Sequence, residues 1–247
     1  MIGTWLLLGV AITATSFLSG VFGMAGGMVL MGLLLLALPV PAAMVLHAAS
    51  QMTANGWRAL VWRREADYWV FLRFCVGLLA ACGLLFSFQY VPDRVVILFC
   101  LGIVPFLAVL IPPNLLPQAN RRGGAELCGL LNTLLQFVAG VSGPLLDAFF
   151  VRTPMDRRAV VATKAICQTT THTVKLLYFT NIAGGGHEIL TAPVYVIAVA
   201  TAILGTSLSK LLLERLSNAQ FYRWTRWLIM AIGVVYLTQA FYVYFTR

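Results

Sequence analysis

Two sets of four polar side chains, embedded in apolar sequence, hold most of the chemistry this chain can offer. His47, Gln51, Asn55 and Arg58 fall at i, i+4, i+8 and i+11, and Lys164, Gln168, His172 and Lys175 repeat that spacing 117 residues later. At about 3.6 residues per turn, each set lies along one face of a helix. Lysine and arginine supply positive charge, amide groups can donate hydrogen bonds, and histidine titrates near neutrality, so the combination suits a small anion. Ionisable groups are costly in lipid and normally face a bundle interior, a partner or water, which makes a polar pathway the expectation. Each residue also has a plainer reading. Arg58 and Lys175 lie towards helix ends, where long side chains reach the headgroups. The amides can serve as glue between helices, the histidines as satisfied interior residues, and Lys164 as a structural partner of Asp147. The paired recurrence of the stripes favours the pathway.

A second echo lies just upstream of each stripe. Phe17-Leu-Ser-Gly-Val-Phe-Gly23 resembles Phe137-Val-Ala-Gly-Val-Ser-Gly143, which sets Gly20 and Gly23 against Gly140 and Gly143 at a separation of 120. The first copy continues through Met24, Ala25, Gly26 and Gly27, the second through Pro144, Leu145, Leu146 and Asp147. Glycines at this density break a membrane helix or pack it tightly, and Pro144 suits the first turn of a new helix. Such a start turns unpaired N–H groups and the positive end of a dipole towards an anion.

The elements that must position these residues are membrane helices. Hydrophobic residues make up 60% of the 247 positions and charged residues 10%, with a mean hydropathy of +0.89; soluble domains have about 45–50% and about 25%. The net charge of +9 is confined to short stretches between apolar runs, as the positive-inside rule expects, and does not indicate nucleic acid. The five cysteines, Cys75, Cys82, Cys100, Cys128 and Cys167, show no metal-ligand spacing and are expected to be reduced. The first apolar run has no basic start and continues past signal length, so it is expected to belong to the mature fold.

Run lengths and breaks predict helical elements near 4–22, 25–38, 42–62, 68–90 and 93–112, then 124–141, 144–151, 157–180, 189–213 and 220–244. The Pro-rich polar stretch from Pro112 to Arg122 separates two halves, 1–118 and 119–247. The run from Pro144 to Val151 is too short to cross a bilayer and is expected to turn back as a re-entrant hairpin. Arg63 and Arg64, Arg121 and Arg122, the group Arg152, Arg157 and Arg158, and the group Lys210, Arg215, Arg223 and Arg226 are assigned to the cytoplasmic side. The loops between them, including 181–188 with Glu188, carry little positive charge. This alternation predicts an all-α integral membrane protein of two inverted repeats, each a helical hairpin followed by three transmembrane helices, with both termini outside.

At these residues the chain resembles the TauE/SafE family of sulfite exporters, also called the toluene-sulfonate uptake permease family. The likeness rests on Ser19-Gly-Val-Phe-Gly-Met-Ala-Gly-Gly27, on Leu38-Pro-Val-Pro-Ala-Ala43, and on a weaker second copy from Gly140 through Asp156-Arg-Arg-Ala-Val-Val-Ala-Thr163. Gly143-Pro144-Leu145-Leu146-Asp147 departs from the glycine-rich run usual in the second copy. The resemblance implies transport, often outward, of sulfite, sulfoacetate or other small sulfonates across the inner membrane.

The residues and the resemblance together give a secondary transporter that is not an enzyme and needs no cofactor or metal. Its partners are a small anion and the lipid bilayer, and a homo-oligomer is compatible with this. Lys164 is expected to supply the main charge and Gln51 and Gln168 to donate hydrogen bonds. His172, Asn55 and hairpin N–H groups at Gly23, Gly26, Gly27 and Gly143 complete the shell. Arg58 and Lys175 are placed at the two mouths, and His47 and Asp147 are assigned to proton coupling. The competing readings are a passive channel, a carrier of another solute, and an intramembrane metal enzyme using His47, His172 and Asp147.

Overall fold

The computed structural model describes residues 2–246 apart from 23–24, 111, 113–114, 184–190 and 214–217. Among the described residues the chain forms ten helices and no strand. The first five are α1 (Ile2–Phe22), α2 (Ala25–Ala37), α3 (Val40–Val61), α4 (Tyr68–Phe88) and α5 (Arg94–Leu110). The second five are α6 (Gly124–Ala139), α7 (Gly143–Phe150), α8 (Arg157–Asn181), α9 (Ala192–Leu213) and α10 (Asn218–Phe245). Gly23, the loop with Glu188, and Arg215 lie outside the described residues.

The breaks between helices have local causes. The Asp67 carboxylate caps α4 by accepting the N–H groups of Trp69 and Val70, both at 3.0 Å, and Asp156 caps α8 through the Arg158 N–H at 2.8 Å. Pro39 precedes α3, and Pro144 sits in the first turn of α7, where a missing N–H costs nothing. Gly140 ends α6 at φ 77°, a left-handed conformation that a side chain would strain.

By length and composition, Tyr68–Phe88, Ala192–Leu212 and Arg223–Phe245 can each cross a membrane. Helices α3 and α8 have 22 and 25 residues but fall outside that set, because the polar stripes dilute their apolar character. Helix α7 has only 8 residues. The Ala119 N–H donates to the Phe149 carbonyl at 3.0 Å, so the end of α7 lies beside the segment that leads into α6. The chain has gone in along α6 and come back along α7.

The largest packing interfaces join α1 to α9, α4 to α6, α3 to α8 and α5 to α10. Smaller ones join α3 to α9 and α4 to α8. Close backbone approach recurs in the largest of them: a Cβ on Gly205 would collide with the Thr13 carbonyl at α1–α9 and one on Gly233 with the Gly102 carbonyl at α5–α10, while α3–α8 carries a polar seam. At the α4–α6 interface a Cβ on Gly77 would collide with the Glu126 carbonyl, and one on Gly129 with the Phe74 carbonyl. Small residues let membrane helices approach this closely and gain dispersion contacts along their length. Outward on α4, Trp69, Leu72, Val76 and Leu79 are all exposed, which places an apolar stripe towards lipid.

The basic loops gather at one end of the bundle. The Asp67 N–H donates to Thr163 Oγ1 at 2.9 Å, and the Arg158 guanidinium lies 5.8 Å from the centre of the Trp62 ring. Arg73 bridges α4 and α6 through both Glu126 oxygens at 2.8 Å and donates to the Arg121 carbonyl. At the other end Tyr178 is fully buried, stacks edge-on against Phe137 and Phe86, and donates to the Tyr90 carbonyl at 3.0 Å.

Candidate functional site

The α3–α8 seam brings the two polar stripes face to face. His47, Gln51 and Asn55 from α3 and Gln168, His172 and Lys175 from α8 are all buried, and Arg58 and Lys164 are half-buried. Their hydrogen bonds sort into two centres, one towards each end of the seam.

The first centre joins the two helix breaks. His47 Nε2 lies 3.0 Å from the Gly27 carbonyl. A carbonyl can only accept, so Nε2 carries the proton and Nδ1 is left as an acceptor. Lys175 Nζ fills that role, donating to His47 Nδ1 at 3.2 Å and to the Gly140 carbonyl at 2.9 Å. One continuous chain of bonds therefore runs from the α1–α2 break through His47 and Lys175 to the α6–α7 break. Lys175 was expected at a mouth. It is instead 0% exposed, because α8 continues past it to Asn181 and its side chain turns inward to Gly140 rather than outward to the headgroups. Both of the Lys175 contacts are to neutral groups.

A network of amides and hydroxyls extends from this centre. The His172 ring stands 5.5 Å from that of His47 and is bonded through Nδ1 by Gln136 Nε2 at 2.9 Å. Ser142 Oγ donates to Gln136 Oε1 at 2.5 Å, and Gln168 Nε2 reaches both Ser142 Oγ and Asn132 Oδ1 at 3.4 Å. The Gln168 donor group is thereby committed to the second hairpin, while its Oε1 has no hydrogen-bond partner among the described residues. The Gln51 donor group is not committed: its Nε2 is buried without a hydrogen-bond partner among the described residues, and its amide lies against Gly27, where a Cβ would stand 3.3 Å from Oε1. Ser16 Oγ and Ser19 Oγ are orphaned in the same way. Buried polar atoms left without partners cost about 1–3 kcal/mol each, so these are the atoms here best suited to a polar ligand.

The second centre is open. Lys164 forms an ion pair with Asp147, their side chains being 19% and 41% exposed. Arg58 donates to the Ser19 carbonyl at 3.2 Å and to Asn55 Oδ1 at 3.4 Å, and it feels the Asp147 charge. Asn55 turns its own amide to the Gln51 carbonyl at 2.9 Å. Gly26 lies tightly against Thr15 and Ser19 of α1, and Gly143 is buried. The sequence stripes thus meet, while Asn132, Gln136, Ser142, Ser16 and Ser19 join them unforeseen. Asn132 and Gln136, four residues apart inside an otherwise apolar run, were the legible signal.

Among the described residues no three histidine, cysteine or acidic side chains come together as metal ligands. A helical bundle with an apolar exterior and a basic polar seam between broken helices is the plan of a multi-pass membrane transporter. Comparison with known families makes this specific: the sulfite exporter TauE/SafE family profile matches residues 7–236, and the chain belongs to that family. Membership makes it an exporter-type transporter of the sulfur-anion kind, working in a lipid bilayer on a small anionic substrate. No match was found among curated proteins or among solved structures.

Proposed function

We propose that the chain is a secondary transporter that exports sulfite or a small organosulfonate across the inner membrane, coupled to protons or another ion. The observation that carries this is the seam itself, where polar stripes from 1–118 and 119–247 share one hydrogen-bonded path with both helix breaks. Lys175 and Lys164 supply charge, and Gln51 Nε2 and Ser19 Oγ offer unspent donors. His47 and Asp147 are the proton-carrying candidates, His47 because its Nδ1 receives the Lys175 donor directly.

The interface pattern supports two repeats. Exchanging α1–α5 with α6–α10 turns the α1–α9 interface into α6–α4, α3–α9 into α8–α4, and leaves α3–α8 and α5–α10 unchanged, and all of these interfaces exist. With the basic end cytoplasmic, the repeats are inverted, α6 and α7 form a re-entrant hairpin, and both termini lie outside. The basic loops sharing one end favours this orientation.

The test is exchange of labelled sulfite in proteoliposomes. Saturable exchange, accelerated by unlabelled sulfite on the opposite side and lost in Lys175→Met and Lys164→Met, is the expected result. Flux that rises linearly with concentration would identify a channel. Exchange unaltered by both substitutions would sink the site.

A further inference from the structure

The two lysines of the seam differ in what neutralises them. Lys175 is held by His47 and the Gly140 carbonyl, both neutral groups, whereas Lys164 is held by the Asp147 carboxylate. Corresponding positions make the contrast sharper. By the spacings of 117 and 120, Lys164 corresponds to His47 and Asp147 to Gly27. His47 meets the backbone of Gly27; Lys164 meets a side chain at the matching place. Where the first half presents a bare carbonyl, the second half supplies an anion.

That anion sits where a transported one would. Asp147 pairs with Lys164 of α8 through Oδ1, an atom that is itself buried, its charge reaches Arg58 of α3, and the rest of the Asp147 side chain is exposed. A carboxylate offers two oxygens on a planar centre to cationic donors, the same contact chemistry a sulfur oxyanion offers. Being 41% exposed, the Asp147 side chain can swing into water with little loss of hydration. Neither Lys164 nor Arg58 is then left without a counter-anion at any stage of loading.

We propose that Asp147 is a tethered anion that fills the Arg58–Lys164 centre when no substrate is bound, and that a sulfur oxyanion enters by displacing it. This rests on the anion-transport reading above. The device sets specificity as well as affinity. The carboxylate carries a second oxygen beyond the one paired with Lys164; a single-atom halide has none and is shut out, while an oxyanion with two or more oxygens offers both.

The experiment compares wild type, Asp147→Asn and Asp147→Glu in detergent, titrating sulfite and, separately, chloride at fixed ionic strength. Asp147→Asn is expected to bind sulfite about tenfold tighter or more, the scale of one nearby charge removed from a site of intermediate dielectric, and to gain chloride binding. Asp147→Glu keeps the wild-type pattern, and Asp147→Asn with Lys164→Gln loses the gain. Where wild type binds sulfite, binding by Asp147→Asn no tighter than wild type would overturn the proposal, and so would chloride still excluded from Asp147→Asn. An infrared difference spectrum of wild type keeps the test independent of whether Asp147→Asn folds. Added sulfite should shift a carboxylate stretching band, and a flat carboxylate region overturns displacement. Chloride gained by Asp147→Asn with no sulfite response in any form would instead retain the tethered anion and refute the sulfur substrate.

Discussion

The His47–Lys175 centre and the Arg58–Lys164 centre are built from corresponding positions, yet one is sealed and the other open. Lys175 and His47 are 0% and 1% exposed, and each ties down a carbonyl at a helix break. Lys164 and Asp147 remain accessible from the end where the basic loops gather. The difference teaches that similar residues can be assigned opposite duties by what covers them. Aromatic packing around Tyr178 closes the far end, and among the described residues no comparable ring contact involves Asp147.

The strongest way to break the contrast is Lys175→Met. It removes the donor to Gly140 and to His47 together, and the orphaned Gly140 carbonyl alone costs about 1–3 kcal/mol. Sulfite exchange should fall to background, and the melting temperature should drop more than for Lys164→Met, whose site is already hydrated. Next in size is Gly129→Leu, which drives α6 away from α4 where the backbones touch. Overpacking of this kind costs about 1–3 kcal/mol, measurable as lost thermal stability with the open centre disturbed before the sealed one.

A smaller effect, but a more pointed one, comes from His47→Gln. Glutamine can still donate to the Gly27 carbonyl, yet it cannot carry a proton near neutrality. Stability should change by less than about 1 kcal/mol, while uptake of protons accompanying sulfite, read with a pH dye inside vesicles, should disappear. Retained proton movement would assign coupling elsewhere. The smallest change is expected for Arg73→Ala. Its pair with Glu126 is partly exposed at the basic end, and exposed ion pairs contribute about 0–1 kcal/mol. Transport should persist with only a slight loss of thermal stability.

Much of the fold was legible because membrane helices announce themselves by run length and by glycine or proline at their ends. The helix expected over 157–180 is found at Arg157–Asn181, and the short run expected over 144–151 is the eight-residue α7. The stripes were legible for the same reason, since a polar residue inside an apolar run needs an interior to face. Depth was not legible. Position along α8 suggested that Lys175 reached a mouth, and only the packing of the α6–α7 hairpin against it reveals a buried amine. Asn132 and Gln136 were passed over because neither is charged, although their spacing carried the same information as the stripes.

The turned-back hairpin has an electrical consequence. Lys164 and Lys175 are 11 residues apart on one helix, about 16 Å at 1.5 Å per residue, against a hydrocarbon layer of about 30 Å. Asp147 is exposed at the basic end while the Tyr178 packing closes the other, so in the proposed transport reading the membrane voltage falls across the stretch from Lys164 to that aromatic plug rather than across the whole layer. Each elementary charge carried through it feels about 2.3 kcal/mol per 100 mV. In that reading an anion moving outward is driven by an inside-negative potential, and most of that push is delivered beyond Lys164.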